Sequence, residues 1–350
     1  MPEPNDRFIV CREILRRHYG HRSPDFLGAP RRHYSLHYTY RQDDLRYVAS
    51  KVRRERGRVP FSHQFAIMQA LARTEAGAAV RPPLRPGRRN GRSWVDGPVN
   101  RWFVRSYTEH DRAPDWSSSA LVADAAEKLS LIHSNASIID AKVLKIPARR
   151  LGPYEWGLAD TLDRVDVLVR DMEARRRTPQ HIALFRREMD RLRGQRRGLD
   201  LGREGLTHHD LRPENLLVRD GRVAEIVDWD RAHWDVQWYD VTLAALHLAY
   251  LQPVEPRWDL AESFMDAYRD ASGTRLSTEA TDWLLRYTAV RNLAVSRSPD
   301  KWDRLVKGIA QWRGAAPSLL VDDLVAGDQV AAHVDVAVED GGAVEAAGVG

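Results

Sequence analysis

The sequence contains a single cysteine and no long apolar run, and each absence excludes a class of protein. Cys11 alone cannot form an intramolecular disulfide, and a zinc site built from several cysteines is ruled out. The longest apolar stretch, Val241–Leu251, is interrupted by Thr242 and His247. It is shorter than the roughly 18 apolar residues that a membrane span requires, and the N-terminus has no apolar core of signal-peptide type. We therefore expect a cytoplasmic protein that has no membrane partner.

Lysine and arginine are absent from residues 314–350, although the chain as a whole is basic. Those residues carry seven acidic side chains, whereas the formal net charge of the whole chain is +5. Their low complexity and acidity predict a disordered tail over residues 315–350. Elsewhere arginine is scattered, and no basic stripe is interleaved with aromatic residues. We therefore expect no nucleic-acid partner.

Apolar periodicity divides the rest of the chain into a strand-rich first third and a helical remainder. It predicts strands at Tyr34–Tyr40, Leu45–Val52 and Arg101–Tyr107 and a helix at Phe61–Arg73. It predicts later helices at Ser119–His133, Gly157–Glu173, Pro179–Arg193, Tyr239–Leu251 and between Leu260 and Gln311. The predicted fold class is α/β, of the α+β type, with two lobes. A small sheet-containing N-lobe is expected over residues 1–106 and a mostly helical C-lobe over residues 107–314, with a cleft near Tyr107.

The residues with the clearest chemical meaning lie in the segment THHDLRPENLLVRDGRVAEIVDWD, Thr207–Asp230. Asp210 and Asn215 stand five residues apart on a loop. The Asp220-Gly221 pair between two apolar runs predicts a tight hairpin, which returns Asp228 to the neighbourhood of Asn215. One charged and one neutral oxygen ligand would then face the same point, an arrangement that suits Mg²⁺.

These residue types suit phosphoryl transfer, in which the protein mainly positions groups and neutralises charge. Asp210 would accept or orient the proton of a substrate hydroxyl, while Asn215 and Asp228 would hold the metal ion on the phosphates. Arg212 could offset charge on the transferring phosphoryl group, or it could be an ordinary loop arginine. A different hypothesis makes the run His208-His209-Asp210 a metal-hydrolase cluster, but no further ligands stand at a convincing spacing.

The run HHDLRPENLLV followed by VDWD resembles the catalytic loop and metal-binding motif of the protein-kinase-like superfamily. The closest resemblance is to its aminoglycoside phosphotransferase and choline kinase branch. The H-x-D-x-x-x-x-N pattern of that branch falls on His208, Asp210 and Asn215, and its metal-binding Asp falls on Asp228. A further Asp, twelve residues later and after an aromatic residue, corresponds to Asp240. The resemblance implies a bilobal protein-kinase-like fold and phosphoryl transfer from ATP or GTP, with Mg²⁺ as the metal.

The resemblance also implies roles for residues outside the motif. His208 would brace the loop, Asp240 would be structural, and Tyr107 with its neighbours would form a hinge that contacts the adenine through backbone groups. Lys51, one of only six lysines, would bind the nucleotide phosphates, or it could be an ordinary basic strand end in company with Arg53 and Arg54. The family pairs that lysine with a glutamate, whereas this chain has Gln64 at the matching position. No G-x-G-x-x-G segment occurs, and no A-P-E segment follows the metal motif, which argues against a protein kinase.

The function expected from these features is transfer of a γ-phosphoryl group to the hydroxyl of a small molecule. An antibiotic of aminoglycoside type, or a related metabolite, is the leading acceptor. Choline, homoserine and sugars stay open as acceptors, and a catalytically silent binding or regulatory module is the alternative from another class. A group of acids in the later helices could attract a cationic acceptor or could form a solvated helix face: Asp259, Glu262, Asp266 and Asp270.

Overall fold

The computed structural model describes residues 6–32, 35–53, 59–87, 92–97, 100–251 and 256–312. The predicted acidic tail and Tyr34, the first residue of a predicted strand, lie outside the described residues. Within the part of the chain that is described, no helix is both long and apolar enough to cross a membrane.

The first third of the chain forms an antiparallel sheet that is packed against helices. Its elements are α1 (Asp6–Ile14), β1 (Asp25–Phe26), β2 (Arg31–Arg32), β3 (Leu36–Gln42), β4 (Leu45–Arg53), α2 (Phe61–Leu71), β5 (Val95–Asp96) and β6 (Asn100–Ser106). The strand order is β1-β3-β4-β6-β5, and β2 pairs with β3. The strands and the helix predicted from the sequence in this region are confirmed within a few residues. The short strands β1, β2 and β5 were not predicted.

One face of the sheet, called the outer face here, is packed against α1. Tyr38, Ala49 and Trp102 are buried there together with Cys11 of α1. The register explains this grouping, because Tyr38 lies directly opposite Ala49 in the β3–β4 ladder. Residues that are directly paired across strands point to the same face, and so do alternate residues along a strand. Odd-numbered residues of β4 therefore point to the outer face.

The opposite face of the sheet, called the inner face here, is packed against α2. The Phe103 ring lies 5.8 Å from that of Phe61 and 5.2 Å from that of Phe65. Ser50 of β4 pairs with Phe103 and therefore shares this face. Even-numbered residues of β4 and odd-numbered residues of β6 thus point toward α2.

The remainder of the chain is mostly helical and contains the larger hydrophobic core. Its helices are α3 (Ser119–Ser134), α4 (Ala141–Leu144), α5 (Leu158–Asp163), α6 (Val165–Ala174), α7 (Pro179–Gln195), α8 (Gln237–Ala249), α9 (Trp258–Ser272), α10 (Thr278–Val295) and α11 (Pro299–Trp312). Its strands are β7 (Glu204–Thr207), β8 (Leu216–Arg219), β9 (Arg222–Ile226) and β10 (His233–Val236). The single helix predicted at Gly157–Glu173 is wrong in detail. The helix is interrupted at Arg164, whose backbone leaves the helical conformation between α5 and α6.

Two β-ribbons flank the loop that joins β7 to β8. The β8–β9 hairpin is confirmed, and its turn residues Asp220 and Gly221 both adopt positive φ, 52° and 72°. That backbone matches the right-handed twist of paired strands and is favoured by an Asp-Gly pair. The second ribbon pairs β7 with β10, so that Thr207 lies opposite His233. Thus residues 208–215 start from one ribbon and end in the other.

Candidate active site

The loop that carries Asp210 is held by one fully buried carboxylate. Asp240 of α8 accepts hydrogen bonds from the backbone N–H groups of His208 and His209, the latter at 2.8 Å. It also lies 3.3 Å from Nε2 of His133, which stands at the end of α3. The paired N–H bonds hold His209 at a φ of 64°, a backbone region that residues other than glycine rarely adopt. Asp240 therefore fixes the backbone on the N-terminal side of Asp210.

His208 lies against the end of the β8–β9 hairpin. Its Nε2 is 2.9 Å from the carbonyl oxygen of Val227, and its ring packs edge-on against Trp229 at 4.8 Å. Burial lowers the pKa of His208, which favours a neutral imidazole that donates to the Val227 carbonyl. This position is the one expected of a bracing side chain.

Asn215 and Asp228 are brought together by the hairpin. The backbone N–H of Val227 donates to the carbonyl of Asn215 at 2.9 Å, which places Asp228 next to Asn215. Asp228 is exposed and sits at a φ of 68° at the end of the second strand. Asn215 Nδ2 donates to the backbone oxygen of Asp210 at 2.8 Å, so its amide oxygen is the atom that can face a cation. An exposed carboxylate beside an amide oxygen fits a hard divalent cation such as Mg²⁺.

Two arginines flank the carboxylate of Asp210, which is only 9% exposed. Arg231 Nη1 lies 3.4 Å from Oδ1, and Arg212 Nε lies 3.7 Å from Oδ2. Arg212 is thus next to Asp210, as its predicted role requires. Arg231 is absent from the sequence-based predictions, although its place one residue after Asp230 in VDWDR is a usable signal.

Arg231 is the positive centre of an acidic group. Burial by itself would lower the pKa of Arg231, but Asp210 and Asp230 nearby raise it above its ordinary value, with smaller contributions from Glu155 and Asp228. Its guanidinium also lies 5.7 Å from the ring centre of Tyr154. Asp210 therefore has a permanent cation beside it, and that cation also neutralises part of the charge of the neighbouring carboxylates.

Lys51 does not lie where its predicted role requires. It is an odd-numbered residue of β4, paired with Trp102, so it points to the outer face of the sheet. There its Nζ lies 5.5 Å from the ring centre of Trp102. Ser50 occupies the inner face at this level and contacts His37 Nδ1 at 2.9 Å. The placement argues against contact between Lys51 and the nucleotide phosphates.

Gln64, which replaces the expected glutamate partner, is also occupied elsewhere. Its Nε2 donates to the backbone oxygen of Val59 at 2.6 Å, just before α2 begins. Since neither member of the expected lysine–glutamate pair is in position, the described residues contain no such pair.

The predicted hinge lies in the linker between β6 and α3. The backbone N–H of Tyr107 donates to the carbonyl of Arg46 at 2.9 Å and is therefore already used. Further along, the N–H of Asp111 donates to the carbonyl of Val218 at 2.7 Å, so the linker runs beside the β8–β9 hairpin. The linker is thus placed between the two parts of the molecule.

A buried ion pair joins the sheet to the hairpin beside this linker. Glu225 of β9 is completely buried and accepts hydrogen bonds from Arg105 Nη1 at 2.7 Å and from the Thr108 hydroxyl. Arg105 points from the inner face of β6. The inner face is therefore the side of the sheet that is turned to the hairpin and to the carboxylates.

The metal-hydrolase hypothesis for His208-His209-Asp210 is not supported by the geometry. His208 is directed to the Val227 carbonyl, and Asp210 lies between two arginines. Of the three, only His209 belongs to a possible metal-binding group in the described part of the chain. Its companions there are His233 and Asp235.

A sheet joined by a linker to a helical part, with three polar residues converging on a loop and hairpin, defines the class of a kinase-like phosphotransferase. The sequence profile described as phosphotransferase enzyme family matches residues 30–284, and the chain belongs to that family. The resemblance to aminoglycoside phosphotransferases and the bilobal fold predicted from it are confirmed. No curated protein matches the chain.

Solved structures of low sequence identity share the fold. A spectinomycin phosphotransferase bound to ADP and spectinomycin is 14% identical, covering 85% of this chain and 93% of its own, with a TM-score of 0.57. An amicoumacin kinase is 13% identical, with coverages of 88% and 93% and a TM-score of 0.60. A microcompartment-associated aminopropanol kinase is 18% identical, with coverages of 90% and 98% and a TM-score of 0.58.

Proposed function

We propose that this protein is a small-molecule kinase that transfers the γ-phosphoryl group of ATP to a hydroxyl of an amine-bearing acceptor. The observation that carries the proposal is the convergence of Asp210, Asn215 and Asp228. Asn215 bonds to the backbone of Asp210 on one side and to the hairpin that ends in Asp228 on the other. These bonds hold two carboxylates and one amide close together, which supports the proposal because phosphoryl transfer requires a proton acceptor and metal ligands at one place.

In this proposal each residue has a separate task. Asp210 orients the acceptor hydroxyl and takes its proton as the new oxygen–phosphorus bond forms and the bond from the γ-phosphorus to the departing ADP breaks. Asn215 and Asp228 hold Mg²⁺, which neutralises charge on the phosphates when it is bound. Arg231 keeps the Asp210 carboxylate in one orientation, and Arg212 lies on the more exposed side, where it can meet the transferring group. Residues 1–106 act as the nucleotide-clamping lobe and residues 107–314 as the catalytic lobe.

The acceptor class rests on charge and on the structural relatives. Asp230 and Glu155 add negative charge near Asp210, which favours an acceptor that carries an amine. Related structures are described with spectinomycin and with an aminopropanol-kinase activity, and others with ADP or with AMP-PNP and Ca²⁺. An antibiotic of aminoglycoside type and a small amino alcohol are therefore the first compounds to test.

One observation favours a second candidate function, a catalytically silent nucleotide or metabolite sensor. The inner face of β4 presents Ser50 where the family presents a lysine, and Gln64 is bonded to the backbone. A site that retains the three polar residues but lacks the phosphate lysine could bind a nucleotide without turning it over.

The test is thermal unfolding with Mg·ATP and Mg·GTP, followed by measurement of ADP release with a panel of amino alcohols and aminoglycosides. A nucleotide at a hundred times its Kd stabilises by about 2.7 kcal/mol, which corresponds to a rise in Tm of several degrees. Asp228→Ala should abolish the shift, whereas Asp210→Asn should retain the shift and lose transfer by about 100-fold or more.

The outcomes separate the candidates. A shift with acceptor-dependent ADP release supports the kinase. A shift without release from any acceptor supports the silent module. An unchanged Tm with both nucleotides, or wild-type transfer in Asp210→Asn, contradicts the proposed site.

A further inference from the structure

Three buried side chains converge behind the catalytic loop and take no part in the proposed transfer. His209 lies on the loop itself, while His233 and Asp235 are alternate residues of β10 and so point to the same face of that strand. One ligand-type atom from each lies within 4.8 Å of the others. Their exposed fractions are only 1%, 3% and 7%. Such a group is costly to bury unless its polar atoms find partners.

Two nitrogen atoms of this group have no hydrogen-bond partner in the structure. His233 Nδ1 lies 2.6 Å from the carbonyl oxygen of Arg231, so it carries the proton and leaves Nε2 with a bare lone pair. That Nε2 is buried and has no partner. His209 approaches Asp235 through Nε2 at 3.2 Å, and its Nδ1 is also buried without a partner. His233 Nε2 therefore offers an electron pair that no protein donor satisfies, and the ring of His209 has one nitrogen without a partner in either tautomer.

We propose that His209, His233 and Asp235 bind a divalent transition-metal ion, zinc by ligand type, in a structural site behind the catalytic loop. Two imidazoles and one carboxylate form a donor set that zinc binds readily and that magnesium and calcium do not favour. The 3.2 Å between His209 Nε2 and Asp235 Oδ2 is close to the spacing of about 3.3 Å between two ligand atoms of a tetrahedral zinc ion.

The surroundings of the cluster are also those of a metal ligand set. The bond from His233 Nδ1 to a backbone carbonyl is the second contact that metal-bound histidines usually make, because it fixes the tautomer and the ring. Asp235 also accepts the backbone N–H of Leu158 at 3.0 Å, which holds its carboxylate in place.

Arg291, which is almost fully buried, adds positive charge close to the cluster. Its guanidinium is fixed by Tyr239 Oη at 2.9 Å and by the carbonyl of Tyr154 at 2.6 Å. The carboxylates of Asp235 and Asp240 counter part of the positive charge of Arg291 and of a bound ion. A metal ion at this place would tie β10 to the residue that precedes Asp210.

The test uses the full-length protein exposed to Zn²⁺ alone, desalted and measured by elemental analysis. The wild type should retain about one equivalent after dialysis against a weak chelator, because the three ligands are buried and only the fourth position is left to water. Co²⁺ alone should give visible absorption bands of a tetrahedral nitrogen and oxygen site. His233→Gln and Asp235→Asn should lose both signals. Asp228→Ala should keep them, because the proposed Mg²⁺ site is separate.

His247→Gln is the matched control, since His247 is a histidine of α8 packed against Trp302 and outside the cluster. It should keep the zinc equivalent and the cobalt bands. Circular dichroism of each variant establishes that it is folded. If His233→Gln does not fold, wild-type cobalt absorption together with Asp235→Asn decides the matter. Absence of retained zinc and of tetrahedral cobalt bands in the wild type overturns the proposal, as does loss of both signals in Asp228→Ala.

Discussion

Asp210 lies between two arginines that differ in their environment. Arg231 has the carboxylates of Asp210, Asp230, Glu155 and Asp228 near it, whereas Arg212 is the more distant partner of Asp210, at 3.7 Å against 3.4 Å, and its side chain is 30% exposed against 23%. An exposed ion pair contributes little to stability, but removing one partner of a desolvated pair leaves a charge without compensation. The two arginines should therefore have different energetic effects although they flank the same carboxylate.

Arg231→Met should lower the free energy of unfolding by about 1–3 kcal/mol, because Asp210 then lacks its nearer partner. It should also lower kcat by about tenfold or more, since the carboxylate is no longer held in one orientation. Arg212→Met should change the free energy of unfolding by less than about 1 kcal/mol. Chemical denaturation and steady-state kinetics measure both. Equal losses of stability in the two variants would contradict the assignment of Arg231.

Lys51 offers a residue-scale test of which sheet face meets the nucleotide. Because its amine lies over Trp102 on the outer face, Lys51→Met should leave the KM for ATP within about twofold of the wild type. Lost contact with Trp102 should cost only about 0.5–1 kcal/mol of stability. Steady-state kinetics across ATP concentrations provide the measurement, with Arg53→Met of the same strand as control. A large rise in KM for Lys51→Met alone would mean that the amine reaches the phosphates.

His247 should make stability depend on pH. Burial lowers the pKa of His247 well below its ordinary value, and Lys301 and Arg212 lower it further. Between that folded pKa and the unfolded value of about 6.5, the unfolded chain binds more protons. Its contribution to the free energy of unfolding therefore rises as pH increases toward about 6.5 and is constant above it. The free energy of unfolding, measured by denaturation at pH 5.5 and at pH 7.5, should differ less between the two pH values in His247→Gln than in the wild type. An identical difference in the two proteins would refute the assignment.

At the scale of elements, the β8–β9 hairpin sets the position of Asp228. Gly221 adopts a φ of 72°, and a Cβ added there would meet no atom within 4 Å. Gly221→Ala should therefore cost only the backbone preference, about 1 kcal/mol. A strained turn should also weaken Mg·ATP binding by shifting Asp228. Denaturation and nucleotide titration test this, with Arg219→Ala of the same hairpin as control. A change in binding without any change in stability would argue against the turn as the cause.

The parts of the site that could be predicted from the sequence are those that depend on local chain geometry. The Asp220-Gly221 turn dictates the hairpin, and the hairpin brings Asp228 back to Asn215. The face of Lys51 depends on which alternate residues are buried, and a one-residue difference in that choice moves a side chain to the opposite face. Arg231 contacts Asp210 across 21 residues through the β7–β10 ribbon, whose four-residue strands carry little periodic signal.

At the scale of the whole molecule, the sheet and the helical part meet at a small number of buried polar contacts. The pair Arg105–Glu225 crosses from the inner face of β6 to the hairpin that ends in Asp228. The Thr108 hydroxyl adds a second bond to the same carboxylate from the linker. One glutamate is therefore bonded to the N-terminal sheet, to the linker and, through its own strand, to the hairpin that ends in Asp228. A change in the relative position of the lobes should therefore alter the hydrogen bonds of Glu225.

Arg105→Met should lower the free energy of unfolding by up to about 3–5 kcal/mol, because Glu225 is left buried without its charge partner. The side chain of Arg105 is 19% exposed and that of Glu225 is 0% exposed, so the lower part of that range is expected. The double variant Arg105→Met with Glu225→Leu should recover much of the loss, since an apolar pair of similar volume replaces the ion pair. Denaturation of the four members of this cycle gives the coupling energy. If the double variant is no more stable than Arg105→Met, the pair does not act as a unit, and the lobes are joined by packing rather than by this charge contact.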